Sequence, residues 1–148
     1  MSSAHDRTGS TTPLPTKLGI TDDCVFTVRH APPGFAELLG DIGDAVWQQS
    51  LLAPLDLVIA FHTHRALLDA EWPRISEPVH PDGGVWVAIP KPTSGVTTDL
   101  SEDVVRARLL KLGWLDNKTC GIDETWTAVR FARRPERLRP KENAKRKR

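Results

Sequence analysis

The chain has 148 residues, a length typical of a single domain. It is 39% hydrophobic and 26% charged, as ordinary globular proteins are, and its apolar runs are far shorter than the roughly 20 residues of a membrane helix. The N-terminus lacks the basic-then-apolar order of a signal peptide, so we expect a cytoplasmic protein with no membrane partner. Cys24 and Cys120 form no CxxC motif and are predicted to be buried free thiols.

The net charge of +1 hides two regions of opposite sign. From residue 133 onward the chain carries nine Lys and Arg against two Glu, a net of +7, which leaves −6 on the rest. We therefore predict a disordered N-terminal segment (residues 1–16), one folded domain (17–133) and a basic disordered tail (134–148). The tail cations are candidates for binding nucleic acid or an acidic partner, or they only keep the tail solvated. They are Lys141, Lys145, Arg146, Lys147 and Arg148.

The first half of the chain alternates short apolar runs with helical segments. Residues 24–28 and 57–61 are continuous apolar runs, as in strands buried on both faces, and 45–48 is a weaker strand toward an edge. Residues 35–40 form a short helix that ends at a glycine. A second helix is predicted to begin at Thr63 and to be broken or kinked at Pro73.

The second half repeats this pattern and then ends in a hairpin. A glycine turn at residues 81–84 leads into a third buried strand, 85–89, and a polar loop. Ser101 caps a helix that has acidic residues in its first turn, basic residues toward its end and Gly113 after it. Residues 114–122 and 125–132 are two strands around a tight connection.

The predicted order is therefore β-α-β-(broken α)-β-α-β-β. Alternating units of this kind form a parallel sheet with right-handed crossovers and helices on its faces. We predict a single three-layer, Rossmann-like α/β domain with a mostly parallel sheet and a C-terminal antiparallel hairpin.

Together with Gly83 and Gly84 before the third strand, this order resembles a reduced class I methyltransferase fold. The body also resembles a small bacterial family of unknown function built on that plan. The segments that carry this resemblance are 17–20 (KLGI), 31–35 (APPGF), 56–58 (DLV), 90–91 (PK), 94–100 (SGVTTDL), 116–118 (DNK) and 122–126 (IDETW).

The parent fold implies S-adenosylmethionine as cofactor, but the matching positions depart from its pattern. The resemblance implies a glycine-rich loop after the first strand, and residues 29–34 here contain two prolines and one glycine. It also implies an acidic residue at the end of the second strand, where this chain has Gln48 and Gln49. We therefore predict no cofactor, and fold alone does not establish an activity.

Polar residues follow each of the three buried strands. Ligands of open α/β sheets bind beyond the carboxyl ends of the strands, so we expect these residues to converge there, unless they are polar only because loops are solvated. The candidates are Arg29, His30, His62, His64, Arg65, Lys91, Thr93, Ser94, Thr97, Thr98 and Asp99.

Three kinds of chemistry are open to this set, and each lacks a part. His30, His62 and His64 have the type of zinc ligands, but no carboxylate or thiolate completes a recognisable spacing, so no metal site is predicted. Lys91 and its neighbouring hydroxyls suit an anion, yet acidic residues crowd the next helix N-terminus. Ser94 lacks the Gly-x-Ser-x-Gly elbow of a nucleophile.

These observations favour a non-catalytic binding or regulatory module on a methyltransferase-like scaffold that lacks the S-adenosylmethionine site. The alternative is an enzyme or small-molecule binder that uses the strand-end pocket, with Lys91, His62 and Asp99 in the main roles. A second alternative is a nucleic-acid-associated protein that binds through its basic tail.

Overall fold

The computed structural model describes residues 12–135, which contain four α-helices, one 3-10 turn and one six-stranded sheet. The strands are β1 (Val25–Arg29), β2 (Val46–Trp47), β3 (Leu55–Phe61), β4 (Val79–Pro90), β5 (Trp114–Gly121) and β6 (Trp126–Arg133). The helices are α1 (Leu14–Leu18), α2 (Phe35–Leu39), α3 (Arg65–Ser76) and α4 (Glu102–Lys111), and the 3-10 turn is Pro92–Ser94. None of these helices has both the length and the apolar character that crossing a bilayer requires.

The strand order in the sheet is β2-β1-β3-β4-β6-β5. Strands β1 to β4 pair in parallel, and β6 is antiparallel to both β4 and β5. The predicted α/β class, the mostly parallel sheet and the C-terminal antiparallel hairpin are confirmed. The short β2 lies at one edge, as its weak pattern indicated.

The sheet is covered on both faces, which makes the domain three-layered. On one face, α1 and α2 pack over Phe26, Ile59 and Trp86. On the other, α3 and α4 pack over Val58 and Val87. Because successive side chains of a strand point to opposite faces, a strand buried on both sides has to be apolar at every position, which explains the continuous runs.

Helix α4 has the ends that its sequence predicts. Ser101 accepts a hydrogen bond from the Val104 amide at 3.2 Å. Gly113 follows the helix with a φ of 91°, a left-handed conformation that glycine adopts without strain. Val105 and Leu109 are buried against the sheet, whereas Leu112 at the end of the helix is exposed.

Helix α3 differs from its prediction at both ends. It begins after His64 rather than after Thr63, and it runs through Pro73 to Ser76 without interruption. The missing amide of Pro73 costs one hydrogen bond. The next turn is nevertheless held, because the Ser76 hydroxyl donates to the Trp72 carbonyl and the Glu77 amide donates to the Pro73 carbonyl.

The glycine segment before the third strand is part of that strand, not a turn. Leu55 of β3 pairs with Val79 of β4, but Leu57 pairs with Gly84. The four residues 80–83 of β4 therefore face only Asp56 of β3, which is a shift of register. A side chain at Gly83 would begin 2.5 Å from the Asp56 carbonyl oxygen. Glycine is needed here for close backbone approach rather than for a tight turn.

The described fold begins before the predicted boundary at residue 17. Leu14–Leu18 form α1, which buries Pro15 and Leu18, so this part of the predicted disordered segment is helical. The Leu18 carbonyl accepts a hydrogen bond from the Trp86 indole at 2.9 Å, which ties α1 to the central strand. Cys24 and Cys120 are buried free thiols, as predicted, and burial raises the pKa of both.

Candidate functional site

The loops after β1 and β3 meet at the point where the sheet changes its winding direction. The chain leaves β1 toward β2 on one side, and β3 lies on the other side of β1. Arg29, the last residue of β1, pairs with Ala60 near the end of β3. His30 and His62 therefore leave the sheet side by side at its carboxyl edge, in the crevice where open α/β sheets bind ligands.

Two imidazoles from these loops share one carboxylate of helix α3. The Glu71 Oε1 lies 2.9 Å from His30 Nε2 and 2.8 Å from His62 Nε2, and Oε2 lies 3.0 Å from His30 Nε2. The two rings meet edge to face with centroids 5.3 Å apart. We call His30, His62 and Glu71 the crevice cluster.

Burial sets the protonation of this cluster. The side chain of His62 has no exposed surface, and desolvation lowers its pKa despite the hydrogen bond to Glu71. Burial also acts to raise the pKa of Glu71, but the hydrogen bonds from His30 and His62 outweigh it and the pKa lies below its ordinary value. The cluster is therefore an ionised carboxylate that accepts an Nε2–H from each of two imidazoles.

Two features of the crevice around the cluster lower the stability of the fold. His30 has a φ of 58°, a left-handed conformation that is uncommon for residues other than glycine. The Nδ1 of His62 is buried without a hydrogen-bond partner among the described residues, and so is the Nε of Arg29. Strained backbone and unpaired buried polar atoms concentrate at functional sites, and here both occur in one crevice.

The loop after β4 lies against the loop after β3. The Thr98 hydroxyl donates to the Thr63 carbonyl at 2.5 Å, and Asp99 Oδ1 accepts the Arg65 amide at 2.7 Å. The Arg65 amide belongs to the first turn of α3, so Asp99 satisfies one of the free donors of that helix. The three loops therefore converge in space.

The remaining candidates from the sequence lie outside the cluster. Thr93 and Thr97 are exposed, and Ser94 accepts the Val96 amide. His64 is exposed, and its Nδ1 lies 2.8 Å from the Thr63 hydroxyl. Lys91 is half-buried beside Gly121. The five cations of the basic tail lie outside the described residues.

The sequence pattern did not identify Glu71. It lies within a helix, whereas the residues predicted for this edge of the sheet lie at strand ends, in the loops that follow them or, as Arg65 does, at the first residue of the helix. One signal was available, because the buried residues Leu68, Trp72 and Ile75 define the face of α3 that packs on the sheet. Glu71 is three residues after Leu68 and borders that face, where a carboxylate needs a partner.

The end of β2 holds a polar amide that is already engaged. The Gln48 Nε2 donates to the carbonyls of Ser50 and Leu52 at 2.9 and 2.8 Å. The preceding Trp47 packs its ring against Phe26 and Phe35. At this position the parent fold implies an acid that binds ribose. Here Gln48 is hydrogen-bonded within its own loop, and Trp47 belongs to an aromatic cluster.

Comparison with known proteins identifies the fold. No protein-family model and no curated protein sequence matches the chain. Similar solved structures include the DhpI–SAH complex (15% identity, TM-score 0.57, covering 88% of this chain and 86% of that chain). A Sulfolobus solfataricus protein named as a type 11 methyltransferase is 8% identical, with a TM-score of 0.57 over 86% of this chain and 94% of that chain.

A third similar structure is the ribosomal protein L11 methylase of Lactobacillus delbrueckii subsp. bulgaricus. It is 12% identical, with a TM-score of 0.51 over 76% of this chain and 70% of that chain. At these identities the likeness concerns the fold and not the activity. The chain has a reduced class I methyltransferase-like, Rossmann-like fold.

Proposed function

We propose that this chain is a binding or regulatory module on a methyltransferase-like scaffold, with its ligand site at the crevice cluster and without the ordinary S-adenosylmethionine site. One observation carries the proposal. At the winding switch between β1 and β3, His30, His62 and Glu71 use their polar atoms on one another and not on the backbone. The cluster lies where open α/β sheets bind ligands, and its buried His62 Nδ1 has no partner among the described residues.

Two further observations support the absence of a conventional cofactor site. In the loop after β1, Pro32 and Pro33 have no amide hydrogen to offer a cofactor, and the Pro32 carbonyl accepts the Phe35 amide. At the end of β2, the Gln48 amide is bonded to its own loop. The cofactor would have to displace these internal contacts.

Titration of the full chain with S-adenosylmethionine, followed by amide NMR, tests the proposal. We expect no saturable shifts in residues 29–34 and 46–50, because the first loop has two prolines without an amide hydrogen and the Gln48 amide is bonded within the second loop. S-adenosylhomocysteine serves as the matched ligand without the positive charge. Saturable shifts in both loops with either compound would contradict the proposal.

The enzyme alternative assigns the main roles to Lys91, His62 and Asp99. Asp99 Oδ1 accepts a backbone amide of α3 and His62 Nε2 is bonded to Glu71, so the two side chains are held on different partners. The nucleic-acid alternative rests on the basic tail, outside the described residues. No observation in residues 12–135 favours these two alternatives over the binding module, and they stay predictions.

A further inference from the structure

We propose that His30, His62 and Glu71 form a site for one divalent transition-metal ion, for which zinc is the best-suited ion. This inference rests on the proposed function, because it names the ligand class of the same crevice. The sequence pattern lacked a carboxylate near the histidines. Helix α3 supplies it.

The donor set has the chemistry that such ions prefer. Two imidazole nitrogens and one carboxylate oxygen are the three-residue ligand set of many zinc sites that keep a fourth position for water. Imidazole also suits iron, copper and nickel, whereas calcium and magnesium take sets composed of oxygens. Two nitrogen ligands therefore direct the site toward transition ions.

The ligand atoms already lie close to coordinating positions. The three atoms fall within 4.8 Å of one another, and the two His–Glu separations are 2.9 and 2.8 Å. Zinc–ligand bonds of about 2.0–2.2 Å in a tetrahedron place ligand atoms about 3.3 Å apart. A metal would widen the two His–Glu separations by about half an ångström and would draw the two Nε2 atoms, which lie within 4.8 Å of each other, toward the same spacing.

Proton balance sets a limit on the affinity. In the metal-free chain each Nε2–H donates to Glu71, so a metal bound at Nε2 moves each proton to Nδ1 and releases none. The exposed His30 offers its Nδ1–H to water. The Nδ1–H of His62 would be buried without an acceptor among the described residues, and this reduces the affinity below that of a site whose outer partners are in place.

Access to the site is from the side of His30. The exposed fraction is 40% for the His30 side chain, 14% for Glu71 and none for His62. The buried imidazole thus forms the base of the site, and solvent reaches it past His30. Arg29 lies close enough for its charge to act on His62, and this charge also opposes a metal cation in the crevice.

The sequence suggests His64 as a third ligand beside His30 and His62, whereas in the structure Glu71 takes that place. His64 is exposed at the start of α3 and faces the Thr63 hydroxyl. Replacing His64 therefore separates the two ligand sets experimentally. His80 is another exposed histidine, at the start of β4, which is the opposite end of the sheet, and it controls for weak binding by surface imidazoles.

The experiment is a zinc titration of the full, tag-free chain in competition with a chromophoric chelator. We expect one equivalent to bind. Glu71→Gln keeps the shape of the side chain, and His30→Gly suits the left-handed backbone, so both variants should fold. Each should weaken zinc binding at least about tenfold, the lower end of what even the loss of an outer-shell partner causes. His64→Ala and His80→Ala should bind as the unmodified chain does.

Cobalt provides a second readout, because the intensity of its visible absorption distinguishes four-coordinate from six-coordinate ions. We expect the four-coordinate spectrum in the unmodified chain and its loss in Glu71→Gln. Equal zinc affinity in the unmodified chain and Glu71→Gln would overturn the site, as would no binding at all or equal losses in His64→Ala. The S-adenosylmethionine titration is independent of these results, so failure of the metal site is distinguishable from failure of the proposed function.

Discussion

Two polar regions at the same edge of the sheet use their side chains in different ways. In the loop after β4, Thr98 and Asp99 bond to backbone groups of Thr63 and Arg65, and Ser94 bonds to its own loop. In the crevice cluster, by contrast, the polar atoms of His30, His62 and Glu71 bond to one another. One region fastens a loop to the backbone of a helix, and the other groups two imidazoles and a carboxylate that are bonded to one another.

The difference shows that polar composition is a poor guide to a site. The loops after β1, β3 and β4 all follow buried strands. The loop after β4 contains more hydroxyls and charges than the two loops of the crevice cluster. What separates them is the partner of each polar atom. A side chain that satisfies a free backbone amide stabilises the fold, because a buried unpaired amide is costly. The side chains of the crevice cluster satisfy one another and also join the loop after β1 to α3, and ligand binding is the further role proposed above.

The largest expected effect breaks the crevice cluster itself. Glu71→Ala leaves the buried Nε2–H of His62 without an acceptor, which should lower the free energy of unfolding by about 1–3 kcal/mol. Chemical denaturation of the metal-free chain measures this loss. Glu77→Ala removes an exposed carboxylate just after the same helix and should have little effect. If the free energy of unfolding fell equally in the two variants, the hydrogen bonds of the crevice cluster would contribute nothing specific to stability.

A smaller effect is expected from the loop after β4. Asp99→Ala removes the acceptor for the Arg65 amide and should cost about 1 kcal/mol, as loss of a helix cap does. Asp99→Asn keeps an oxygen at that place and should cost much less. Neither variant should change zinc affinity, because Asp99 is not in the cluster. Reduced zinc binding in Asp99→Ala at unchanged stability would contradict the division between the two regions.

The smallest effect is expected for a partly exposed ion pair between α3 and α4. Asp69 is hydrogen-bonded to Arg108, and this bond lowers the pKa of Asp69. A carboxyl whose folded pKa is depressed stabilises the fold above its unfolded pKa and loses that contribution as pH falls through the folded value. Asp69→Asn should therefore flatten the acid side of the stability curve slightly at low salt. At high salt the difference should vanish, because both side chains are partly solvent-exposed.

Local signals accounted for most of the fold. Continuous apolar runs identified β1, β3 and β4, and Ser101 with Gly113 identified the ends of α4. The errors occurred where tertiary contacts override a local rule. Pro73 lies within α3 because the hydrogen bonds around it persist. Gly83 is the residue needed at its place in β4 because any side chain there would begin 2.5 Å from the Asp56 carbonyl oxygen. Such approaches between distant segments leave no periodic signal.

The sequence by itself determined the class of the sheet, most of its elements and the convergence of the loops after the buried strands. Parallel strands end at one edge, so residues such as His30 and His62 had to come near each other. Only the tertiary structure decided which side chain completes the set. Glu71 is nine residues from His62 and forty-one from His30, and it reaches both because α3 packs back across the sheet and orients the carboxylate at the strand ends. That orientation depends on packing of the whole helix, which no spacing of residues along the chain expresses.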